Sequence, residues 1–575
     1  MTKTDDNIHF DSLVERVQIR LPDKRVISGP RGSSVGDLLL SLKEEYADAP
    51  IVGAIVNHEL RELTFAVEID SVVRPVTMGM ADGMRIYRRS LTFLLEAAFR
   101  ENHPDLHLNI DHSVFSGGYF CQVREGVGLS EKELGDLEKK MHELVEKDYP
   151  FKRKQVPIDE AIALFEKRGM VDKVRLLSHR KKDYLVLYEL NKHLDYHHGY
   201  MLSSSGALRW FGLESLDEGF TLRFPHRATP TELEAVDTKS QILDAFKRYG
   251  DLLTLLGIES VGLLNDSIVD GRIRELILVS EALHEKRVAD VAEQISAVAN
   301  EARVVLVAGP SSSGKTTFSK RLSVQLLASG LSPFALEMDR FFVDREKTPI
   351  DKDGEFDFEH IDAVDRERLN LSLRSLIDGK PTRLPHYDFL TGKSEEGEEI
   401  QIGPEQIIII EGIHGLNPGL LPDIPDEQTF RIYLSALTQL NLDSHNRVST
   451  TDTRLVRRIV RDARERGYSP QETIKRWDSV RRGEKNYIFP YQGNADVVIN
   501  SALVYELAAL KPLAEPLLRQ VPFGLEEHIE VKRLLALLEW FLPLDNKYIP
   551  DNSLLREFIG GSILRDFSLW RNGGD

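Results

Sequence analysis

Five short apolar runs frame the second half of the chain: Val304–Val307, Phe334–Met338, Ile407–Ile410, Phe430–Leu434 and Val497–Ile499. All five are apolar runs of strand length, most of them β-branched, as expected of strands buried on both faces. Stretches of helical spacing lie between them. Phe318 to Ala328, for example, puts Phe318, Leu322, Leu326 and Leu327 on one side. The alternation predicts an α/β domain over 301–575 with a mostly parallel sheet. A further amphipathic run, Leu525 to Phe541, is expected to pack on that domain or on another subunit.

The pattern upstream is different. Val17–Leu21 alternates, Pro22-Asp23-Lys24 reads as a turn to a partner strand, and Leu38 to Tyr46 has helical spacing. With short strands at Ile51–Val56, Glu68–Val73 and Met84–Tyr87, residues 1–90 read as one helix over a small mixed sheet. Residues 91–228 read as a second α+β unit. It opens on an amphipathic helix, Leu91 to Arg100, and closes on strands within Leu208 to Phe224. Thr231 to Leu256 and Ile273 to Ala299 are helical by period and make 229–300 a helical connector without chemistry of its own.

Composition narrows the classes. At 575 residues the chain is too long for one core. A hydrophobic fraction of 41% with 29% charged residues is that of soluble globular protein. No apolar run reaches the ~18 residues of a membrane span, and Met1 to Asp6 lacks an apolar signal region. The single cysteine, Cys121, excludes an intramolecular disulfide and fits a reducing cytoplasm. A net charge of −18 argues against broad nucleic-acid coating. Two basic runs, Lys152-Arg153-Lys154 and Arg180-Lys181-Lys182, read either as solvated faces or as a local RNA contact.

The chemistry gathers around Gly309-Pro310-Ser311-Ser312-Ser313-Gly314-Lys315-Thr316-Thr317, which fits G-x-x-x-x-G-K-[ST] between a strand and a helix. Loop N–H groups and the positive helix end would face phosphates, with Lys315 on the β/γ-phosphates and the Thr316 hydroxyl on Mg²⁺. Gly309, Ser311, Ser312, Ser313, Gly314, Lys315, Thr316 and Thr317 are thus the candidate ATP-binding residues. The second strand run ends in Asp339 and the third in Glu411. In parallel sheets ligands sit at the carboxyl ends of strands, so an anion cradle and two carboxylates converge on one edge. One carboxylate would help hold Mg²⁺ and one would take the proton of an acceptor hydroxyl. Arg454, Arg457, Arg458 and Arg461 share one stripe of a predicted helix. A polyanion such as ATP would relieve their mutual repulsion; Asp452, Asp462 and Glu465 are the rival partners.

These motifs, with Met338-Asp339-Arg340-Phe341-Phe342, Asp357-Phe358-Glu359-His360-Ile361-Asp362, Pro385-His386-Tyr387-Asp388-Phe389, Ile410-Glu411-Gly412-Ile413 and Asp452 to Asp462, resemble the phosphoribulokinase/uridine kinase family from Val304 to about Ser501. The resemblance implies an ATP- and Mg²⁺-dependent kinase for a nucleoside 5′-hydroxyl. By that resemblance Asp339 is the catalytic base, assisted by Lys315, and Thr316, Asp339 and Glu411 form the Mg²⁺ shell. Glu359 falls where uridine kinases hold the ribose with Asp, and Tyr387 and Phe389 fall where the base is gripped. Arg454 falls at a substrate-contacting arginine, and Arg457, Arg458 and Arg461 at the ATP lid. Gly392 stands where uridine and cytidine kinases carry a base-reading His, so the acceptor remains open at that point.

The front half carries resemblances of its own. Val17 through Val35-Gly36-Asp37-Leu38-Leu39, Ala54-Ile55-Val56-Asn57 and Arg85-Ile86-Tyr87 resembles a ubiquitin-like TGS domain. Arg88 to Leu95 resembles the helix that opens the editing-type second domain of threonyl-tRNA synthetases. That helix carries His-x-x-x-His in the family; here Arg89 and Phe93 stand there, and neither side chain can ligate a metal. A later Cys/His pair falls near Tyr196-His197-His198. The resemblance therefore implies a dismantled hydrolytic site. A nucleotide-switched RNA- or ribosome-associated regulator, an editing hydrolase and a kinase of another small hydroxylated acceptor are the rival functions. RNA contact through the front domains and a homo-oligomer are the partner expectations, with no membrane.

Overall fold

The computed structural model describes residues 15–567 apart from 115–116, 125, 127, 235–240, 352–353 and 404. Met1 to Asp6 and part of the predicted helix Thr231–Leu256 lie outside these residues.

The C-terminal half is built on a five-stranded sheet. Its order is Ser332–Glu337, Gln406–Gly412, Val304–Ala308, Thr429–Ser435, Val497–Asn500. Every pairing is parallel, so the sheet is wholly rather than mostly parallel. Val304–Ala308 is buried at every position because it is the central strand with helices on both faces. The helix after the glycine loop runs Lys315–Ala328. It starts three residues before the apolar spacing begins, since Phe318 N–H already bonds to Gly314 O at 3.0 Å. An antiparallel hairpin, Thr382–Asp388 with Lys393–Ile400, stands apart from the main sheet.

Residues 16–77 form a mixed five-stranded sheet. Arg16–Arg20 pairs antiparallel with Val26–Pro30 and parallel with Ser71–Thr77, and Ile51–Val56 extends the far side. The helix over it is shorter than expected: Val35–Leu39, capped by the Ser34 side chain, passes into a 3₁₀ turn at Leu40–Leu42. The strand expected at Glu68–Val73 lies at Ser71–Thr77.

Met84–Tyr87 corrects the sequence reading. It is not a strand but part of a 22-residue helix, Ala81–Asn102. Met84, Ile86 and Tyr87 around a single arginine fit either element, and here the longer helical context wins. The same helix absorbs the predicted Leu91–Arg100, and it is not amphipathic there. Leu91 through Phe99 is buried without interruption, because sheets and helices surround it as the core of the second unit. Cys121 is buried in that core as a free thiol.

Among the described residues the connector holds three helices where two were expected: Gln241–Leu256, Val261–Val269 and Ile273–Val298. Its core is continuous with both neighbours. Phe165, Leu185, Val288, Ile295, Val305 and Leu554 belong to one apolar cluster. The kinase-side loop between Ser435 and Thr450 is bolted to the second unit. Asn441 Nδ2 donates to Asp111 O (2.9 Å), Ile110 N–H to Ser444 O (2.8 Å), and Ser444 N–H to Asp172 Oδ2 (2.8 Å). The run Leu525–Phe541 folds as Glu527–Leu538, and Arg533 ties it to Asp452 at 2.6 Å. Among the described residues no helix is long and apolar enough to cross a membrane.

Candidate active site

The loop from Gly309 to Gly314 leaves the central strand and turns into the helix N-terminus. A Cβ on Gly309 would stand 2.0 Å from Leu434 O, so only glycine lets the loop pass the neighbouring strand. Ser312 and Gly314 both take positive φ, 59° and 90°. Alternation of this kind turns consecutive N–H groups toward one concavity. The outward carbonyls are held by other side chains. Arg454 Nε donates to Ser311 O (2.9 Å), Arg457 Nη1 to Ser312 O (3.3 Å) and the Ser501 hydroxyl to Ser313 O (2.5 Å).

The four arginines expected on one lid face therefore divide. Arg454 and Arg457 are fully buried and ion-paired, the first with Glu484 and the second with Glu506. They scaffold the cradle from behind. Arg458 and Arg461 are only half-buried; Arg458 Nη1 donates to the Ser311 hydroxyl (2.8 Å), and both pair with Asp462. The stripe's like charges are thus offset mainly by Glu484, Glu506 and Asp462, of which the sequence suggested only the last.

The two strand-end carboxylates meet the loop. Glu337 and Glu411 are in register on adjacent strands, and Asp339 follows one turn later in a 3₁₀ segment, Met338–Phe341. The Thr316 hydroxyl donates to Glu411 Oε1 at 3.0 Å. Enclosure among protein atoms pushes the Glu411 carboxyl up to about 7; Lys315 opposes the rise, and Glu557 and Asp339 add to it. Asp339 is exposed, and the atoms crowded around its carboxyl raise it as well, again opposed by Lys315. Lys315 itself folds back to donate to Pro310 O at 3.3 Å.

The acceptor-side residues also converge. Phe342 makes edge contacts with Phe358, Tyr387 and Phe389, at centroid separations of 5.8, 5.6 and 6.3 Å. Tyr387 is buried, yet its hydroxyl has no hydrogen-bond partner. Phe389 is 59% exposed at the rim. Glu359 backs against Gly483 and is pushed up to about 7 by enclosure, with Arg458 opposing the rise. One of its carboxylate oxygens is buried without a partner. Gly392 sits at φ +72°, and a Cβ there would stand 2.7 Å from the Arg345 guanidinium. Arg345 fills that corner, donating to Phe389 O at 2.6 Å.

Besides Glu506, two carboxylates escaped the sequence reading. Glu484 lies inside Pro470–Tyr487, fully buried, and accepts the Ser311 N–H at 3.1 Å. Glu557 comes from the tail helix Arg556–Ile559 and accepts the Thr317 N–H at 3.1 Å. The tail is seated on the loop: Leu554 occupies the space a Cβ on Gly314 would need, and Lys320 Nζ donates to Leu564 O at 2.7 Å. No spacing in either segment distinguishes these carboxylates from solvated ones.

At the expected second-domain site, Arg89 donates to Tyr200 O at 2.7 Å, and Phe93 packs edge-on against His193 and His197. Of the basic runs, Lys154 pairs with Glu189, Lys182 with Glu539, and Arg180 lies over Trp540.

A model of the Phosphoribulokinase / Uridine kinase family matches residues 304–508. The uridine kinase of Ligilactobacillus salivarius is 32% identical over 201 residues, 35% of this chain and 85% of that protein. The chain belongs to the phosphoribulokinase/uridine kinase family. The uridine kinase of Staphylococcus epidermidis is similarly related, at 29% identity over 35% of this chain and 88% of its own length. The N-terminal region is similar to the threonine–tRNA ligase of Polaromonas naphthalenivorans, 32% identical over 34% of this chain but only 31% of the ligase. The P-loop domain is thus that of a kinase, a phosphotransferase for a small substrate.

Proposed function

We propose that the chain phosphorylates the 5′-hydroxyl of a nucleoside from ATP, with a pyrimidine ribonucleoside as the first candidate. The observation that carries this is the meeting of Asp339 and Glu411 with the loop lysine beside an aromatic acceptor wall. The acceptor hydroxyl oxygen forms the new bond to the γ-phosphorus, the bridging bond to the β-phosphate breaks, and the proton goes to Asp339. Lys315 and the loop N–H groups hold the phosphates in line, and Arg458 and Arg461 approach them from the lid helix.

Thr316, Glu411 and Asp339 suit Mg²⁺: a hydroxyl bonded to a half-buried carboxylate, and a second, exposed carboxylate facing the same lysine. Bound there, Mg²⁺ would neutralise charge on the transferring phosphoryl group. Glu359 would accept ribose hydroxyls, and Tyr387 and Phe389 would form the aromatic wall that grips the base. With Arg345 in the Gly392 corner, the base edge would meet a guanidinium donor rather than an imidazole. This favours an acceptor rich in carbonyl oxygens, which uracil is.

The test is label transfer from γ-labelled ATP to a panel of nucleosides and small sugars. Transfer to none of them, by folded protein that binds ATP, would end the proposal. Asp339→Asn should cost about 10²–10⁴-fold in kcat while ATP binding persists. Full activity in that variant would remove Asp339 as the base.

A further inference from the structure

One turn beyond Phe93 on the long central helix lies Glu96, nearly solvent-free, in a cluster unrelated to the kinase site. It faces Asp195 and His193 from the strand His193–Tyr196, His197 just after it, and His445 from the kinase-side loop. All are buried.

Each carboxylate is divided in the same way. Glu96 Oε1 engages His197 Nε2 at 2.7 Å. Asp195 Oδ1 accepts from Lys173 Nζ and from the Tyr196 N–H, both at 2.6 Å. The other oxygen of each, Glu96 Oε2 and Asp195 Oδ2, is buried without a hydrogen bond and points at a shared centre. His445 Nδ1 faces that centre, 3.1 Å from Glu96 Oε2 and 3.5 Å from Asp195 Oδ2, likewise without a hydrogen bond. His193 is 8% exposed, and neither of its ring nitrogens makes a hydrogen bond. Its Nε2 stands 3.5 Å from Glu96 Oε2 and 4.0 Å from Asp195 Oδ2.

Buried polar atoms without hydrogen bonds are costly, and four converging on one point require an explanation. Ligands at ~2.0–2.1 Å from a tetrahedral ion lie about 3.3 Å apart, and these separations bracket that value. The anchored oxygens supply the outer hydrogen bonds that orient metal-binding groups. Charge agrees. Glu96, Asp195 and Asp443 bring three formal negatives and Lys173, 3.7 Å from Asp443, one positive. A divalent ion would neutralise Glu96 and Asp195 with the imidazoles of the cluster left neutral.

We infer that Glu96, Asp195, His445 and His193 form a binding site for a divalent transition-metal ion, best suited to Zn²⁺. Imidazole and carboxylate donors at tetrahedral spacing select that class over Mg²⁺ and Ca²⁺. The site joins the synthetase-like unit to the loop that leads into the Thr450–Arg461 helix, so its role is to fasten the two halves. It does not restore the family's ligand positions, since Arg89 and Phe93 still cannot ligate and His445 belongs to the other half of the chain.

The experiment uses the full chain. Protein stripped with a chelator, incubated with Zn²⁺ and desalted should hold about one zinc per chain, and Co²⁺ in its place should give the visible bands of a tetrahedral site. Zinc should also raise Tm. Glu96→Gln and His445→Ala should each lower zinc affinity at least tenfold with far-UV circular dichroism unchanged. Folded wild-type protein that retains no zinc, shows no cobalt bands and no Tm shift overturns the inference. So does full zinc retention in both variants. Because the wild-type arms decide alone, a variant that fails to fold does not protect the idea.

Discussion

At the scale of single residues, Glu359 offers the sharpest handle on the acceptor. Its carboxyl titrates near pH 7 because enclosure outweighs the pull of Arg458. A carboxylate accepts from two ribose hydroxyls, whereas the protonated acid has surrendered one acceptor position. Acceptor KM should therefore fall as pH rises from about 6 to about 8, and Glu359→Gln should flatten that profile. An unchanged profile in the variant would assign the titration elsewhere. The same shift carries a stability consequence of fixed sign. A group whose carboxyl pKa is higher folded than unfolded favours the fold at low pH, and that contribution is lost as pH rises through about 7. The placement of Asp339 and Glu411 beside the loop was legible in advance because each ends a short apolar run, and the ends of parallel strands are where ligands sit. Glu484 was not, because it lies among Arg481, Arg482 and Lys485 in a helix whose charges suggest solvent on every side. Which of those charges turns inward is decided by the loop it meets.

At the scale of elements, the arginine helix changes meaning. Its sequence stripe suggests one function for four side chains, but the helix is packed so that two face the back of the loop. Arg457→Ala should act on stability rather than on nucleotide affinity alone, since it strands Glu506 and removes the bonds to Ser312 O and Ser501. The expected loss is about 3–5 kcal/mol, read by denaturant unfolding. Unchanged stability with a raised ATP KM would return Arg457 to the lid. The tail makes the opposite prediction. Glu557 sets a negative charge against the Thr317 N–H, inside the segment meant for phosphates, and close enough to Glu411 to raise it. Removing the charge in Glu557→Gln should strengthen nucleotide binding about tenfold, equivalent to about 1.4 kcal/mol, measured by titration calorimetry. Weaker binding would mean that the tail supports the site instead of competing for it. Element identity was least legible where apolar runs are short. Met84–Tyr87 satisfies a strand by composition and a helix by context, whereas Val304–Val307, bounded by a glycine loop, admits one reading.

At the scale of the whole molecule, the boundaries suggested by composition do not coincide with the boundaries of packing. Residues 16–77 keep a core of their own around Val17, Ile19, Leu38, Val56 and Val73. Val52 reaches out of that sheet into the apolar core of the second unit, and polar ties accompany it: Lys532 to Glu59 at 2.7 Å, Arg74 to Glu526 at 3.0 Å, and Glu62 accepting the Met201 N–H at 2.9 Å. Surface ion pairs such as the first two contribute about 0–1 kcal/mol each. The synthetase-like unit and the kinase sheet instead share one apolar cluster through the connector, so exposing either would expose both. Native-state hydrogen exchange separates these cases. Amides of Arg16–Arg20 should exchange through a local opening of lower free energy. Amides of Tyr184–Leu190 and Val304–Ala308 should exchange only through a common, global opening and give the same value. Distinct values for the last two strands would make the front half a tethered module. Equal values make it part of the kinase's own structure. A chain that folds in this way cannot lose its synthetase-like half without unsettling the loop at Asn441 to Arg447, and through it the helix that scaffolds the phosphate cradle.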